Sequence, residues 1–124
     1  MTNNKETRDM STTMIEQIQE EIKAEVAEHQ AEKKVLVYGK GTADAPRCGF
    51  TMSTKAFFDE LGVEYHIMDV LENPEKRQVL AEMTDWPTLP KVFINGEFYG
   101  DLDILLPMKE KGELADVLSK AGMA

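Results

Sequence analysis

The sequence has one cysteine, Cys48, among its 124 residues. A chain with a single thiol cannot form an intramolecular disulfide, so its stability has to come from packing. For the same reason it cannot run a dithiol redox cycle within itself. Whatever Cys48 does chemically, it therefore does with a partner.

Basic residues are also few, and long apolar runs are missing. The 14 Lys and Arg side chains are outnumbered by 23 Asp and Glu, which gives a formal net charge of −9. Nucleic-acid binding requires a concentration of cations, so no nucleic-acid partner is expected. No apolar run approaches the roughly 18–20 residues of a membrane span, and the N-terminus lacks the apolar core of a secretory signal. We therefore expect no membrane association and a cytoplasmic location.

Residues from Met14 to about Glu32 carry the pattern of an amphipathic helix. Apolar side chains recur there in steps of three and four, and Thr12 or Thr13 is the predicted N-cap. The acidic residues between the apolar positions are interpreted as a solvated face. Residues 1–12 are polar and show no pattern, which predicts a disordered tail followed by a single domain over residues 13–124.

The rest of the chain alternates between strand and helix patterns. Strands are predicted at 35–38, 65–70, 91–94 and 97–99, and helices at 48–61, 73–83, 101–111 and 113–121. The dipeptide Asn95-Gly96 is typical of a type I′ turn, which joins the last two strands into a hairpin. This order predicts an α/β fold with a mixed four-stranded sheet flanked by helices, and an extra helix at the N-terminus.

Cys48 lies where a loop ends and a predicted helix begins. Free backbone amides and the helix dipole favour a thiolate at such a position, and Lys40 and Arg47 are nearby cations. Free cysteine is also among the most buried residue types, so a structural role in the core is an equal alternative on these grounds alone. The two histidines, His29 and His66, match no metal-ligand spacing and are assigned to structure or surface.

Four motifs decide between these alternatives. In chain order they are residues 40–42 (Lys-Gly-Thr), 46–51 (Pro-Arg-Cys-Gly-Phe-Thr), 86–90 (Trp-Pro-Thr-Leu-Pro) and 100–103 (Gly-Asp-Leu-Asp). Their order and spacing resemble the monothiol glutaredoxin family, and the resemblance runs from about Met14 to Gly122. It implies a thioredoxin-like fold with a preceding helix. It also implies a [2Fe–2S] cluster in a homodimer, held by one cysteine of each subunit and two glutathione thiols.

The resemblance implies a role for each residue of the site. Cys48 is the reactive thiol and the cluster ligand. Lys40 meets the glycine carboxylate of glutathione, and Arg77 is a second cation for that end. The backbone of Leu89, which precedes a cis proline at Pro90, pairs with the cysteinyl unit.

The γ-glutamyl end of glutathione is assigned in the same way to a helix start. The resemblance places its amine and carboxylate against the backbone at Leu102 and the carboxylate of Asp103. Taken alone, Asp103 would merely favour the helix dipole, and Lys40 and Arg77 would be ordinary solvated side chains.

The chain departs from the family pattern at two places. Thr51 stands where the family usually has serine, so the hydroxyl near the sulfur is kept and a methyl group is added. Asp101 and Leu102 stand where the family commonly has a glycine and a small residue. A positive φ at Asp101 would strain the backbone, and its charge would repel the carboxylates of glutathione.

Three functions are compatible with these residues. The leading one is a carrier that assembles a [2Fe–2S] cluster and passes it to iron–sulfur acceptor proteins by ligand exchange. The second is an enzyme in which Cys48 attacks protein–glutathione mixed disulfides and glutathione restores the thiol. The third is a regulatory adaptor that shares a cluster with a BolA-type partner.

Overall fold

The computed structural model describes residues 10–123. The helices in this span are α1 (Thr12–Ala31), α2 (Gly49–Leu61), α3 (Pro74–Thr84), α4 (Leu102–Glu110) and α5 (Glu113–Lys120). The strands are β1 (Val35–Gly39), β2 (Tyr65–Asp69), β3 (Lys91–Ile94) and β4 (Glu97–Phe98). All of them were predicted, with ends that agree to within two residues. None of these helices is both long and apolar enough to cross a membrane.

β1 is the strand on which the sheet is built. It pairs in parallel with β2, with Val37 opposite Ile67, and antiparallel with β3, with Val37 opposite Val92. β4 completes the order β2-β1-β3-β4 as the second strand of a hairpin. Asn95 and Gly96 in the hairpin turn both take positive φ values, 53° and 84°, as a type I′ turn requires. The predicted mixed four-stranded sheet is confirmed.

The side chains of β1 alternate between two hydrophobic cores. All of β1 is buried, which is why its sequence is apolar throughout rather than alternating. Val35 and Val37 face a core completed by side chains of α2, α4 and α5. Leu36 and Tyr38 face a second core completed by α1 and α3. Helices therefore cover both faces of the sheet, as the sequence predicts.

α1 begins slightly earlier than its apolar pattern suggests. Ser11 is the N-cap, and its hydroxyl accepts a hydrogen bond from Met14 N at 3.1 Å. The prediction of Thr12 or Thr13 as the cap is wrong, because Ser11 keeps an extended backbone while both threonines are helical. The predicted tail falls mostly on residues 1–9, which lie outside the described residues, as does residue 124.

A buried lysine joins α1 to α3. Lys76 of α3 is 5% exposed, and its Nζ lies 2.7 Å from Glu25 and 3.4 Å from Glu21 on α1. Glu25 also accepts a hydrogen bond from the hydroxyl of Tyr38 at 2.7 Å. Burial, then the contact with Glu25, raises the pKa of Tyr38 well above its ordinary value. The interpretation of the α1 acids as a solvated face is therefore wrong for Glu25, which fixes the extra helix to the domain.

The antiparallel pairing of β1 with β3 brings distant motifs together. Tyr38, near the end of β1, lies opposite Lys91 at the start of β3. The loop that follows β1 and the segment that precedes β3 therefore meet at one edge of the sheet. The loop carries residues 40–48 and the segment carries residues 86–90, so two of the sequence motifs become neighbours.

Candidate functional site

Cys48 is the N-cap residue of α2. Its backbone is extended, with φ −156° and ψ 157°, and its Sγ accepts a hydrogen bond from Thr51 N at 3.4 Å. The side chain is partly exposed rather than packed in the core. Gly49, the next residue, has open space where a side chain would be. The alternative of a buried structural cysteine is therefore wrong, and the sulfur is open to a partner.

Thr51 orients the sulfur and joins it to the loop after β1. Its hydroxyl oxygen lies 3.2 Å from Cys48 Sγ and accepts a hydrogen bond from Lys40 N at 3.1 Å. Because the Lys40 amide supplies the hydrogen of that bond, the hydroxyl hydrogen of Thr51 is free to point at the sulfur. A threonine hydroxyl in this arrangement donates to a thiolate.

These contacts lower the pKa of the Cys48 thiol. Burial acts in the opposite direction and raises it, but the Thr51 hydroxyl, the amides of Thr51 and Phe50, and the charge of Lys40 together bring the pKa below its ordinary value. Hydrogen bonds to the sulfur thus contribute more than the nearby cation. Arg47 takes no part in this shift; it lies on the surface, 4.0 Å from Glu72.

The extra methyl group of Thr51 is accommodated inside the fold. Thr51 is fully buried, and a Cβ placed on Gly39 would lie 3.1 Å from the Thr51 methyl carbon. The methyl group therefore packs over the backbone at the end of β1, where glycine leaves room for it. Gly39 is a supporting residue of the site that the sequence motifs did not single out.

A cleft of about 490 Å³ lies beside the thiol. Each of the five predicted binding residues lines it: Lys40, Arg77, Leu89, Leu102 and Asp103. Cys48 is not among the lining residues, but α2, which it caps, contributes Phe50 and Thr54 to the wall. The remaining wall comes from the segment 87–90 and from Asp101. The structure thus brings the predicted binding residues together next to the predicted reactive sulfur.

The charges of the cleft come from different elements. The cations are Lys40, from the loop after β1, and Arg77, from α3, whose Nη1 donates to the carbonyl of Leu71 at 3.1 Å. The acids are Asp101 and Asp103, both at the start of α4. A peptide ligand with charges at both of its ends therefore meets cations and acids in different parts of one cleft.

Two backbone features shape the remaining wall. The peptide bond between Leu89 and Pro90 is cis, as the family resemblance implies. At the start of α4, Gly100 takes the positive φ, 75°, whereas Asp101 has a φ of −141°. The strain considered for Asp101 is therefore absent, because the glycine before it makes the turn.

Asp101 is the N-cap of α4. Its Oδ1 accepts a hydrogen bond from Asp103 N at 2.9 Å. Close to it lies Lys91, which is 1% exposed and donates from Nζ to the carbonyl of Trp86. Burial lowers the pKa of Lys91 to about 8, against an opposing attraction from Asp101. The contacts of Lys91 with Trp86 and Asp101 were not predicted, since Lys91 lies outside the four motifs.

The surface around the thiol is apolar. Phe50 is 76% exposed and Met52 is 55% exposed. In residues 10–123 no group of three or more His, Cys, Asp and Glu side chains is arranged to hold a metal ion.

Comparison with known proteins assigns the family. The glutaredoxin family matches residues 35–99. The chain is 39% identical over 101 residues to a Synechocystis protein named uncharacterized monothiol glutaredoxin ycf64-like, a match that covers 82% of this chain and 94% of that one. This chain belongs to the monothiol glutaredoxins. Cys48 is the single thiol of this monothiol glutaredoxin.

Solved glutaredoxins share the fold of this monothiol glutaredoxin. The reduced apo form of poplar GrxS14 is 35% identical with a TM-score of 0.69, over 81% of this chain and 92% of that one. A buckwheat glutaredoxin solved in complex with glutathione is 20% identical with a TM-score of 0.75, over 92% of this chain and 98% of that one. The predicted thioredoxin-like fold is confirmed.

Proposed function

We propose that this monothiol glutaredoxin binds a [2Fe–2S] cluster as a glutathione-dependent homodimer and passes the cluster to iron–sulfur acceptor proteins. The observation that carries the proposal is the state of Cys48. Its sulfur is partly exposed, its pKa is lowered, and it lies beside a cleft with cations and acids. The thiolate is the form of a cysteine that binds iron, and a lowered pKa favours that form.

The number of donors supports a shared site. A [2Fe–2S] cluster takes four thiolates, and this chain has one cysteine. Two chains and two small thiols supply the four. The cleft supports glutathione as the small thiol, because Lys40 and Arg77 are suited to a peptide carboxylate. The structural likeness to a glutaredoxin solved with glutathione agrees with this choice of thiol.

The surface next to Cys48 supports a dimer. Phe50 and Met52 are exposed apolar side chains on the first turn of α2, and a second chain facing the same sulfur would cover them. Exposed apolar surface of this kind is common where another protein binds. In a cluster between two such faces, half of the ligands are thiolates of glutathione rather than of the protein. The cysteines of an acceptor can replace them.

A second candidate function is deglutathionylation, which the lowered pKa of Cys48 favours. The Cys48 thiolate attacks the glutathione sulfur of a mixed disulfide, so a Cys48–glutathione disulfide forms and the target protein leaves as a thiolate that takes up a proton. A second glutathione thiolate then attacks this disulfide. The products are glutathione disulfide and the restored Cys48 thiolate.

Anaerobic reconstitution with iron and sulfide, with and without glutathione, tests the proposal. We expect a red-brown dimer with glutathione and a colourless monomer without it, by visible absorption and size-exclusion chromatography. The same cluster yield without glutathione contradicts the proposal. Colourless protein that rapidly deglutathionylates a protein substrate establishes the second function instead. A BolA-type protein that displaces one subunit, giving a coloured heterodimer, would assign the adaptor role.

The cytoplasmic location stays a prediction, which fractionation of the source cells tests.

A further inference from the structure

The first turn of α4 forms one end of the cleft, and a single residue already satisfies most of its amides. The carboxylate of Asp101 accepts from Asp103 N at 2.9 Å, and the carbonyl of Asp101 accepts from Ile104 N and Leu105 N, each at 3.0 Å. Amides at a helix start otherwise bind a cap or an anionic ligand. Within the span 10–123, the amide of Leu102 is the donor of this turn that has no partner.

We infer that Asp101 is a specificity-determining residue. Its carboxylate accepts the hydrogen bond of the Asp103 amide, which a ligand carboxylate at the α4 end of the cleft would otherwise accept. The inference rests on the proposed function, in which this cleft takes glutathione. It specifies the ligand class further. The ligand that fits best is a thiol peptide with an ammonium group, but no carboxylate, at the end that meets α4.

The charges at the α4 end disfavour a ligand carboxylate, as the hydrogen bond between Asp101 and the Asp103 amide does. Asp101 and Asp103 both line the start of α4, so a ligand carboxylate placed there meets two acids. An ammonium group at the same place is attracted by both. The γ-glutamyl unit of glutathione carries one group of each kind on a single carbon. Its ammonium group therefore suits the α4 end, and its carboxylate does not.

A glycine at position 101 would leave the Asp103 amide without a side-chain acceptor. The comparison that isolates Asp101 is therefore Asp101→Gly, with Asp101→Asn as a matched variant. Asparagine keeps a side-chain acceptor for the Asp103 amide but removes the charge. Glycine is tolerated at an N-cap at a cost of only a few tenths of a kcal/mol, so it removes the acceptor with little effect on α4.

Two probes differ by the one group in question. S-methylglutathione has the γ-glutamyl carboxylate, and the S-methyl derivative of 4-aminobutyryl-cysteinylglycine lacks it but keeps the amine. Both are titrated into the full-length, reduced, cluster-free protein, and amide chemical shifts of Asp103 and Lys40 give the dissociation constants. The methyl groups prevent disulfide exchange, and no step depends on cluster assembly. The titration can therefore fail or succeed independently of cluster binding.

We expect the wild type to bind the probe without the carboxylate at least as tightly as it binds S-methylglutathione. Asp101→Gly should bind S-methylglutathione about tenfold more tightly than the wild type, because one charge-assisted hydrogen bond becomes available and one repulsion is removed. Its affinity for the probe without the carboxylate should change by less than about threefold. Asp101→Asn should fall between the wild type and Asp101→Gly.

The inference is overturned if the wild type already prefers S-methylglutathione by tenfold or more, or if Asp101→Gly tightens both probes equally. Should Asp101→Gly fail to fold, Asp101→Asn decides: an unchanged preference between the two probes overturns the inference. If neither probe binds the wild type or the variants, the glutathione-dependent function is overturned as well. A normal glutathione-dependent cluster with no effect of Asp101 would overturn the specificity role alone.

Discussion

Two helices begin beside the cleft, and each is capped by its own side chain with a different chemical result. At α2 the cap is the sulfur of Cys48, which accepts from Thr51 N at 3.4 Å. At α4 the cap is the carboxylate of Asp101, which accepts from Asp103 N at 2.9 Å. Both atoms satisfy a free amide of a first helical turn. The sulfur stays available for exchange or metal binding, whereas the carboxylate is a fixed negative charge.

The comparison shows that a helix start does not by itself make a ligand site. The capping atom determines whether the amides of the first turn can donate hydrogen bonds to a ligand or already donate them to the protein. At α2 the amides lower the pKa of the Cys48 thiol, so the cap itself is the group that faces a ligand. At α4 the carboxylate competes with an anionic ligand for the same amide.

Replacing the α2 cap by its oxygen analogue should abolish function and spare the fold. Serine is a good N-cap, so Cys48→Ser should keep the melting temperature within about 3 °C of the wild type. Cluster binding should be lost completely, because the hydroxyl is not ionised at neutral pH. Visible absorption after reconstitution with glutathione and thermal unfolding by circular dichroism measure the two effects. A retained cluster would show that Cys48 is not the ligand.

The buried lysine near the α4 cap should make stability rise with pH. The pKa of Lys91 is about 8 in the folded protein and about 10.5 ordinarily, so between these values the unfolded chain holds more protons. Stability therefore rises with pH, by about 1.5 kcal/mol from pH 8 to pH 9.5.

The matched variant is Lys91→Gln, which keeps a donor for the Trp86 carbonyl and does not titrate. Urea unfolding of both proteins at three pH values isolates the contribution of Lys91. The difference in unfolding free energy between wild type and variant should grow with pH in favour of the wild type. A difference that stays constant, or that shrinks, would contradict the buried position of Lys91 beside Asp101.

Removing the Thr51 hydroxyl, which faces the sulfur, should slow the alkylation of the Cys48 thiol. Thr51→Val keeps the buried shape and deletes the hydrogen bond to Sγ, so the pKa of Cys48 rises. Alkylation by iodoacetamide at pH 6 to 7 should slow by about three- to tenfold, since the smaller thiolate fraction is partly offset by greater nucleophilicity.

Thr54→Val is the control for that measurement. The Thr54 hydroxyl donates to the Phe50 carbonyl at 2.9 Å, one turn further along the same helix, and does not contact the sulfur. Cys48 in Thr54→Val should be alkylated at the same rate as in the wild type. Equal slowing in both variants would assign the effect to α2 as a whole rather than to the bond between Thr51 and Cys48.

The smallest effect is expected from the structural part of the α4 cap. Asp101→Ala should lower the unfolding free energy by about 1 kcal/mol, because the Asp103 amide loses its acceptor. Asp101→Asn should be nearly neutral, since asparagine caps equally well. Urea unfolding of the two variants at pH 7 measures the difference. Equal stability of both variants would mean that the carboxylate does not cap α4.

Local patterns in the sequence were enough to predict the fold. Asn73 caps α3 and Pro74 occupies its first turn, while Gly62 ends α2 with a positive φ. Each is a short-range signal that acts within one turn of its helix. Val35 to Tyr38 was identified as the central strand because a strand buried on both faces has to be apolar throughout.

Contacts between distant residues were not predictable from those patterns. His29 and His66 match no metal-ligand spacing and were both assigned to structure or surface, yet their rings stack with centroids 5.3 Å apart. The link from Lys76 through Glu25 to Tyr38 joins three different elements. Spacing along the chain carries no information about such pairs. Arg77 and residues of the four motifs line one cleft, but the hydrogen bond that makes Asp101 a cap depends on its side-chain orientation.

Native mass spectrometry of the anaerobically reconstituted protein shows whether Cys48 and glutathione together hold a cluster between two chains. We expect one dominant species whose mass equals two chains, one [2Fe–2S] cluster and two glutathione molecules, and the absence of this species for Cys48→Ser. A cluster carried by a single chain, or by two chains without glutathione, would contradict it.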